Sequence, residues 1–254
     1  MNEQLLIIRD LEKTYHTKSA DYPVLQKVNM SVNKGEFVAV MGPSGSGKTT
    51  LLNIISGFLS ADAGEIKLKS KDLLSVNKDE MADIRQTSLG FIFQDFMLID
   101  GLTTKENIYL PQIIAGRENT SMNKTTETLM EKFGISNIGD KYPSEISGGQ
   151  KQRVAISRAL SNSPLLILAD EPTGNLDSKS SAAVIDAFLT AKEELGATIL
   201  MVTHDAVAAS HVDRVVALAD GQVIRELKRE TTPRDFMEEI LQFMGETEGS
   251  HYDA

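Results

Sequence analysis

Residues 37–56 read FVAVMGPSGSGKTTLLNIIS, and this stretch decides the fold. Phe37–Met41 is an apolar run with the length of a buried strand, and TTLLNIIS, from Thr49 to Ser56, carries apolar residues at helical spacing. Between them GPSGSGKT, Gly42–Thr49, fits G-x-x-x-x-G-K-[ST], the spacing of a phosphate-binding loop. Glycines let successive backbone N–H groups turn inward around β- and γ-phosphates, and a helix N-terminus adds positive potential. Lys48 supplies an ammonium for phosphate and for catalysis, and Thr49 offers a hydroxyl suited to Mg²⁺. The expected nucleotide cradle is Gly42, Pro43, Ser44, Gly45, Ser46, Gly47, Lys48, Thr49 and Thr50. A glycine-rich turn with no ligand has no need of lysine and threonine at those two positions.

Outward from this loop, short apolar runs alternate with helical stretches, the pattern of an α/β domain with a largely parallel sheet. Strands are expected near Leu5–Arg9, Phe37–Met41, Glu65–Lys69, Leu89–Phe93, Leu165–Ala169 and Thr198–Val202. Helices are expected near Gly47–Ser56, Lys78–Gln86, Thr125–Phe133, Gln150–Ser161 and Ser178–Leu195, the last with Ser178 as N-cap and Gly196 just beyond its end. Asp220-Gly221 between two apolar runs reads as a tight hairpin. Strand signals vanish between about residues 95 and 162, interrupted by the polar stretch Arg117–Lys124, so a helical subdomain is expected there. The α/β core then comprises residues 1–94 and 163–228. Thr232-Pro233 opens a final helix whose stripe is Phe236, Met237, Ile240, Leu241 and Met244. That stripe docks on the core or on a second subunit or permease, and the acidic end after Gly245 is expected to be disordered.

Composition narrows the function. A length of 254 residues suits one large domain or two closely joined ones, and 24% charged residues match the globular average. With 36 acidic against 26 basic residues the net charge is −10, which opposes a nucleic-acid partner. The absence of cysteine excludes disulfides and thiolate chemistry. The opening MNEQLLIIRD places only Leu5–Ile8 as an apolar run behind acidic Glu3, so no secretory signal is expected. The longest apolar runs elsewhere have five residues, against about 20 for a membrane-spanning helix.

Two further stretches carry chemistry. In LLILADEP a buried strand ends in Asp170 and Glu171 before Pro172. Asp170 suits the Mg²⁺ shell and Glu171 suits polarisation of an attacking water, because phosphoryl transfer depends on positioning and charge neutralisation. An acidic strand end facing solvent is the plainer alternative. In ISGGQKQR, Ile146–Arg153, Ser147-Gly148-Gly149 stands before a helix and makes a second anion-binding terminus.

The set GPSGSGKT, ISGGQKQR and LLILADEP resembles the ATP-binding cassette (ABC) ATPases, over nearly the whole chain. The resemblance implies an α/β P-loop NTPase: a RecA-like core with a mostly parallel sheet, an antiparallel β-subdomain and an inserted helical subdomain. It implies an ATP-dependent homodimer in which Ser147, Gly148, Gly149 and Gln150 of one subunit complete the ATP site of the other. Leucine is usual in that family where Ile146 stands. Gln94 in GFIFQDF resembles the glutamine that senses Mg²⁺ and links to the membrane partner. Asn175-Leu176-Asp177 resembles the loop that crosses between subunits, and His204 in MVTHD the histidine that contacts the γ-phosphate. Tyr15 resembles the aromatic residue that stacks on adenine, with Tyr22 as competitor and an ordinary surface tyrosine as the bland alternative.

The wording GFIFQDFMLIDGLTTKENIYLP, KYPSEISGGQKQR, ADEPTGNLDSKS and MVTHDAVAAS, with the added tail, is most similar to the bacitracin-type (Bce-like) peptide-antibiotic resistance branch of Gram-positive bacteria. That branch is related to the lipoprotein-release, macrolide-efflux and cell-division ATPases. The resemblance implies a cytoplasmic ATPase held at the inner face of the membrane by a separately encoded permease of the FtsX/MacB-like type, with no span of its own. A relay that reshapes a membrane partner without moving solute fits the same residues. Phe96, Met97, Leu98 and Ile99 form an apolar patch after Gln94, either a groove for a permease helix or part of the helical core.

Overall fold

The computed structural model describes residues 3–252, with side chains as far as Gly245. The elements begin with β1 (Gln4–His16), β2 (Asp21–Asn33), β3 (Phe37–Met41), α1 (Lys48–Ile55), β4 (Ala63–Leu68) and β5 (Lys71–Asp72). They continue with α2 (Lys78–Thr87), β6 (Leu89–Ile92), α3 (Thr104–Ile114), α4 (Asn119–Lys132), α5 (Gly148–Leu160), β7 (Leu166–Asp170) and α6 (Ser178–Leu195). The last are β8 (Ile199–Thr203), α7 (Ala206–Ser210), β9 (Arg214–Ala219), β10 (Gln222–Lys228) and α8 (Pro233–Tyr252). Two compact units result, one of Met1–Leu74 with Met201–Ala254 and one of Ser75–Leu200.

In the first unit β2-β1-β4-β5 form an antiparallel sheet. β3 pairs parallel with β9, which pairs antiparallel with β10. All residues of β3 and β9 are buried, as expected of strands covered on both faces. Asp220 and Gly221 both have positive φ, 47° and 74°, as the hairpin required. Arg214 secures this region from within: its guanidinium bonds Glu36, Glu226 and the carbonyl of Ser31.

The long β1–β2 ribbon differs from expectation, since β1 runs past Arg9 to His16 and β2 was not anticipated. The reason lies in two bulges. Buried residues alternate as Leu6 and Ile8, then skip to Leu11; in β2 Leu25 skips to Val28 before Met30 and Val32 resume the alternation. Asp10 and Lys27 sit at the skips with φ of 43° and 51°, and Asn29 ties them by accepting from Asp10 N–H and donating to Lys27 O. An extra residue at a bulge breaks the period-2 pattern by which a strand is recognised.

In the second unit β6 and β7 pair in parallel, and α2 to α6 surround them in sequence. Arg117–Lys124 interrupts the helices only in part: Arg117 and Glu118 lie between α3 and α4, while Asn119–Lys124 form the first turns of α4, whose inner face is Met122, Thr126, Leu129 and Met130. That face is helically spaced, but the helix around it is mostly polar and its first turns carry Met122 as their one apolar residue, which hid it. α6 is capped by Asp177 rather than Ser178, because the carboxylate accepts from the N–H groups of Lys179 and Ser180. Gly196 ends it in the left-handed region, φ 66°. Buried Asn107 organises the segment before α3, with Ile99 N–H donating to its Oδ1 and its Nδ2 donating to the carbonyls of Ile99, Leu102 and Thr103.

The α8 stripe divides. Phe236 and Ile240 are buried within their own unit, where α8 packs on α7, while Leu241 is 52% exposed. The helix also continues through Gly245 and Gly249 to Tyr252, where an irregular end was expected, because each glycine weakens a helix by only about 1 kcal/mol. Residues 253 and 254 of that expected irregular end lie outside the described residues. Phe236→Ala is expected to destabilise the fold by about 3–5 kcal/mol and Leu241→Ala by less than about 0.5 kcal/mol, a contrast that urea unfolding measures directly.

Candidate functional site

The residues singled out by sequence fall in both units, and each group is built locally. In the first unit the loop after β3 is shaped by two close approaches. A Cβ on Gly42 would lie 1.9 Å from the carbonyl oxygen of Leu218 in β9, and one on Gly47 would lie 2.7 Å from that of Val24. Gly45 and Gly47 have φ of 84° and 102°, which glycine adopts without strain. Gly47 is the N-cap of α1 and makes no side-chain cap, so the first-turn N–H groups stay directed toward the loop. Lys48 is buried, its Nζ donating to the carbonyls of Gly42 at 2.8 Å and Pro43 at 2.9 Å. The ammonium is therefore held against the loop. Ser46 Oγ is buried and finds no protein partner, an orphaned polar atom inside the same loop. Such a loop can receive a polyphosphate through backbone donors, a cation and a helix terminus.

Tyr15 lies in β1 opposite Tyr22 of β2, and both rings are exposed, at 42% and 53%. The Lys13 ammonium is 6.0 Å from the Tyr15 ring centroid, and it also bonds Asp62. That hydrogen bond, with the Thr14 N–H, holds the Asp62 carboxyl below its usual range. His204 is exposed between β8 and α7, where Asp205 caps α7 by accepting from Val207 N–H.

In the second unit four of the sequence-selected segments meet. Asp170 ends β7, and Glu171 follows with φ 44°, a conformation that non-glycine residues adopt only under constraint. The turn closes when Gly174 N–H donates to Glu171 O. Gln94 Nε2 donates to Asn175 Oδ1 at 3.2 Å, and Asn175 Nδ2 donates to Asp95 Oδ1 at 2.8 Å, so the Gln94 loop and the Asn175-Leu176-Asp177 loop are joined. A Cβ on Gly174 would come within 3.0 Å of Gln94 Nε2. Leu176 in turn lies against Gly148, 3.0 Å from the position of a Cβ there. The Ser180 hydroxyl and amide, and then the Lys179 amide, hold the Asp177 carboxyl below its usual range.

Ser147 caps α5 reciprocally with Gln150: Gln150 N–H donates to Ser147 Oγ, and Ser147 N–H donates to Gln150 Oε1. The cap leaves the Gly148 and Gly149 N–H groups for other acceptors. Two residues that sequence reasoning passed over complete this region. Gln152 is fully buried, and its Nε2 donates to Pro172 O at 2.9 Å and Phe93 O at 3.4 Å, so α5 is tied to the segments after Glu171 and before Gln94. Arg158 donates to the carbonyls of Phe96 and Met97. The available signal was Gln152 at the head of the stripe Gln152, Ala155, Ile156, Ala159, where an amide on an apolar helix face implies a buried partner.

Among the described residues no group of three or more His, Asp or Glu is placed to hold a metal, and no helix is long and apolar enough to cross a membrane.

The family model described as ABC transporter matches residues 25–174. The chain is 42% identical to the bacitracin export ATP-binding protein BceA of Halalkalibacterium halodurans, over 98% of this chain and 99% of that one. It is 41% identical to the macrolide export ATP-binding/permease protein MacB of Syntrophobacter fumaroxidans, over 86% of this chain and 31% of that longer protein. Among solved structures it resembles a dimeric post-hydrolysis state of the ATP-binding cassette MJ0796 bound to ADP and Pi. There the TM-score is 0.80 and the identity 38%, over 89% of this chain and 99% of that one. The fold is that of an ABC ATPase, a P-loop NTPase.

The close approach at Gly42 makes a sharp expectation. Gly42→Ala must displace either the loop or the β9 backbone, and so both lowers the thermal unfolding midpoint and weakens ATP binding in a nucleotide titration. Gly45→Ala meets no atom within 4 Å and carries only the left-handed backbone penalty of roughly 1–2 kcal/mol.

Proposed function

This chain belongs to the ABC transporter family and is an ATP-hydrolysing subunit of such a transporter, and we propose that it energises resistance to bacitracin-type or lantibiotic-type antimicrobial peptides through a separately encoded permease of the FtsX/MacB-like type. The observation that carries the peptide branch is extent: the similarity to BceA covers 98% of the chain, whereas that to MacB covers 86%. A second reading, the ATPase of a macrolide-efflux or lipoprotein-release transporter, draws support from the 41% identity to MacB. Attachment to the cytoplasmic face of the membrane would come through the permease.

Within the site, Gly42–Thr50 take the β- and γ-phosphates of ATP, Lys48 neutralises their charge, and Tyr15 stacks on adenine. Mg²⁺ fits the residues present, because it is held by one or two protein oxygens together with phosphates and water and needs no cage of three carboxylates. Thr49, Gln94 and Asp170 would hold it, and it supplies charge neutralisation at the phosphates. Glu171 accepts a proton from the attacking water, and His204 hydrogen-bonds the γ-phosphate. Ser147–Gln150 of a second copy close the site, because the terminus of α5 offers N–H groups to an anion. The exposed Met97 and Ile99, at 58% and 46%, are the contact surface for the permease.

Glu171→Gln is expected to bind ATP and accumulate as a dimer in light scattering while turnover falls by about 10²–10⁴, and unimpaired turnover removes Glu171 from the chemistry. Lys48→Ala differs in kind and weakens ATP binding itself in a titration.

In the assembled complex with its permease, bacitracin or a lantibiotic should raise ATPase activity. Stimulation by a macrolide alone replaces the peptide reading with the second one. Met97→Ser with Ile99→Ser should abolish co-purification of the permease while leaving the circular dichroism of the chain unchanged.

A further inference from the structure

The segment after Gln94 adopts a backbone conformation that its own residues disfavour. Phe96 and Met97 are consecutive non-glycine residues with positive φ, 60° and 47°. In that region Cβ crowds the backbone, so two in succession persist only where the surroundings over-determine them. Local turns do part of this, as Phe96 N–H donates to Phe93 O and Met97 N–H to Asp95 O. The rest comes from α5. Arg158 reaches across to the loop, with Nη2 donating to Phe96 O at 2.8 Å and Nη1 donating to Met97 O. A planar guanidinium delivers two parallel bonds in a fixed geometry, and here both go to the carbonyls of the two left-handed residues. Burial pushes the guanidinium down to about 10, so it remains charged at neutral pH and its bonds to carbonyl dipoles are charge-assisted.

This conformation has a consequence for the Phe96 ring. It lies 3.7 Å from the position of a Cβ on Gly148, the first residue of α5, and 6.0 Å from the Lys151 ammonium in the next part of the first turns. Phe96 thus rests on the helix terminus that presents Ser147, Gly148 and Gly149, while the adjacent Met97 side chain is turned to solvent. α5 holds the loop through Arg158, and the loop holds the start of α5 through Phe96.

We propose that Arg158 is a positioning residue for ATP-driven dimerisation: it clamps Phe96 and Met97 in the left-handed conformation, which seats the Phe96 ring on the N-terminus of α5 and fixes the orientation in which that terminus meets the ATP of a second copy. The inference rests on the reading that Ser147–Gln150 complete the partner's site. The same clamp makes the permease-facing Met97 and the ATP-facing Gly148 parts of one rigid piece, so a push on one is delivered to the other.

The test uses the full chain carrying Glu171→Gln, with dimerisation followed by light scattering against ATP and monomer affinity by nucleotide titration at low protein concentration. Arg158→Met is expected to weaken dimerisation at least tenfold while ATP affinity of the monomer stays within twofold. Arg158→Lys keeps the charge without the fork and falls between. Met97→Val, at an exposed side chain, is expected to reproduce the defect through the backbone alone, because a β-branched residue resists positive φ. Met97→Gly added to Arg158→Met is expected to restore most of the loss, because glycine adopts φ 47° freely. An arginine that serves packing alone offers no reason for Met97→Gly, at an exposed side chain, to rescue its loss. Unchanged dimerisation in Arg158→Met, or a folded double variant with no rescue, overturns the proposal. If Arg158→Met does not fold, Met97→Val decides: parental dimerisation there overturns the clamp. A Glu171→Gln parent that fails to dimerise with ATP overturns the two-copy site and the clamp together, a result distinct from a dimerising parent with unaffected variants.

Discussion

Backbone carbonyls that leave a sheet or a turn inside a folded chain must be given donors, and in the Ser75–Leu200 unit one helix supplies them. Gln152 of α5 donates to Phe93 O and Pro172 O, and Arg158 to Phe96 O and Met97 O. These carbonyls belong to the two segments that flank Gln94 and follow Glu171. The helix that starts at Ser147-Gly148-Gly149 is therefore also the frame on which the other loops are hung. A buried amide or guanidinium left without acceptors is unfavourable, so helix and loops satisfy each other and take up their geometry jointly. Asn175 adds a further tie by joining the Gln94 loop to the segment before α6.

The other unit meets its constraint by closeness of approach. Gly42 and Gly47 admit the carbonyls of Leu218 and Val24 to distances that no Cβ tolerates. The loop between them is pressed into a curve, and Lys48 spans it through the carbonyls of Gly42 and Pro43. Backbone neighbours on each side thus hold the loop in its curve, the kind of preorganisation on which an electrostatic site depends.

How far the site was legible depended on whether its parts are contiguous. Gly42–Thr50, Ser147–Gln150 and Asp170-Glu171 are short runs in which residue type and spacing carry the chemistry, and each stands at a strand end or helix start, as expected. β1 and β2 were only partly legible because Asp10 and Lys27, at the bulges, shift the alternation by one residue. Gln152 signalled at most that its amide has a buried partner, and Arg158 signalled nothing: their partners lie 59, 20, 62 and 61 positions away along the chain, and no local pattern encodes those pairs.

The amino-acid sequence by itself determined the family, the phosphate loop, the acidic strand end and the α5 terminus, because residue type and spacing within a few positions carry each of those patterns. Only the tertiary structure decided that Phe236 and Ile240 rather than the whole α8 stripe are buried, and that Phe96 and Met97 stand left-handed under Arg158. In both the deciding partner is distant along the chain. Side-chain burial and backbone strain there are set by the packing around a residue and not by its immediate neighbours in sequence.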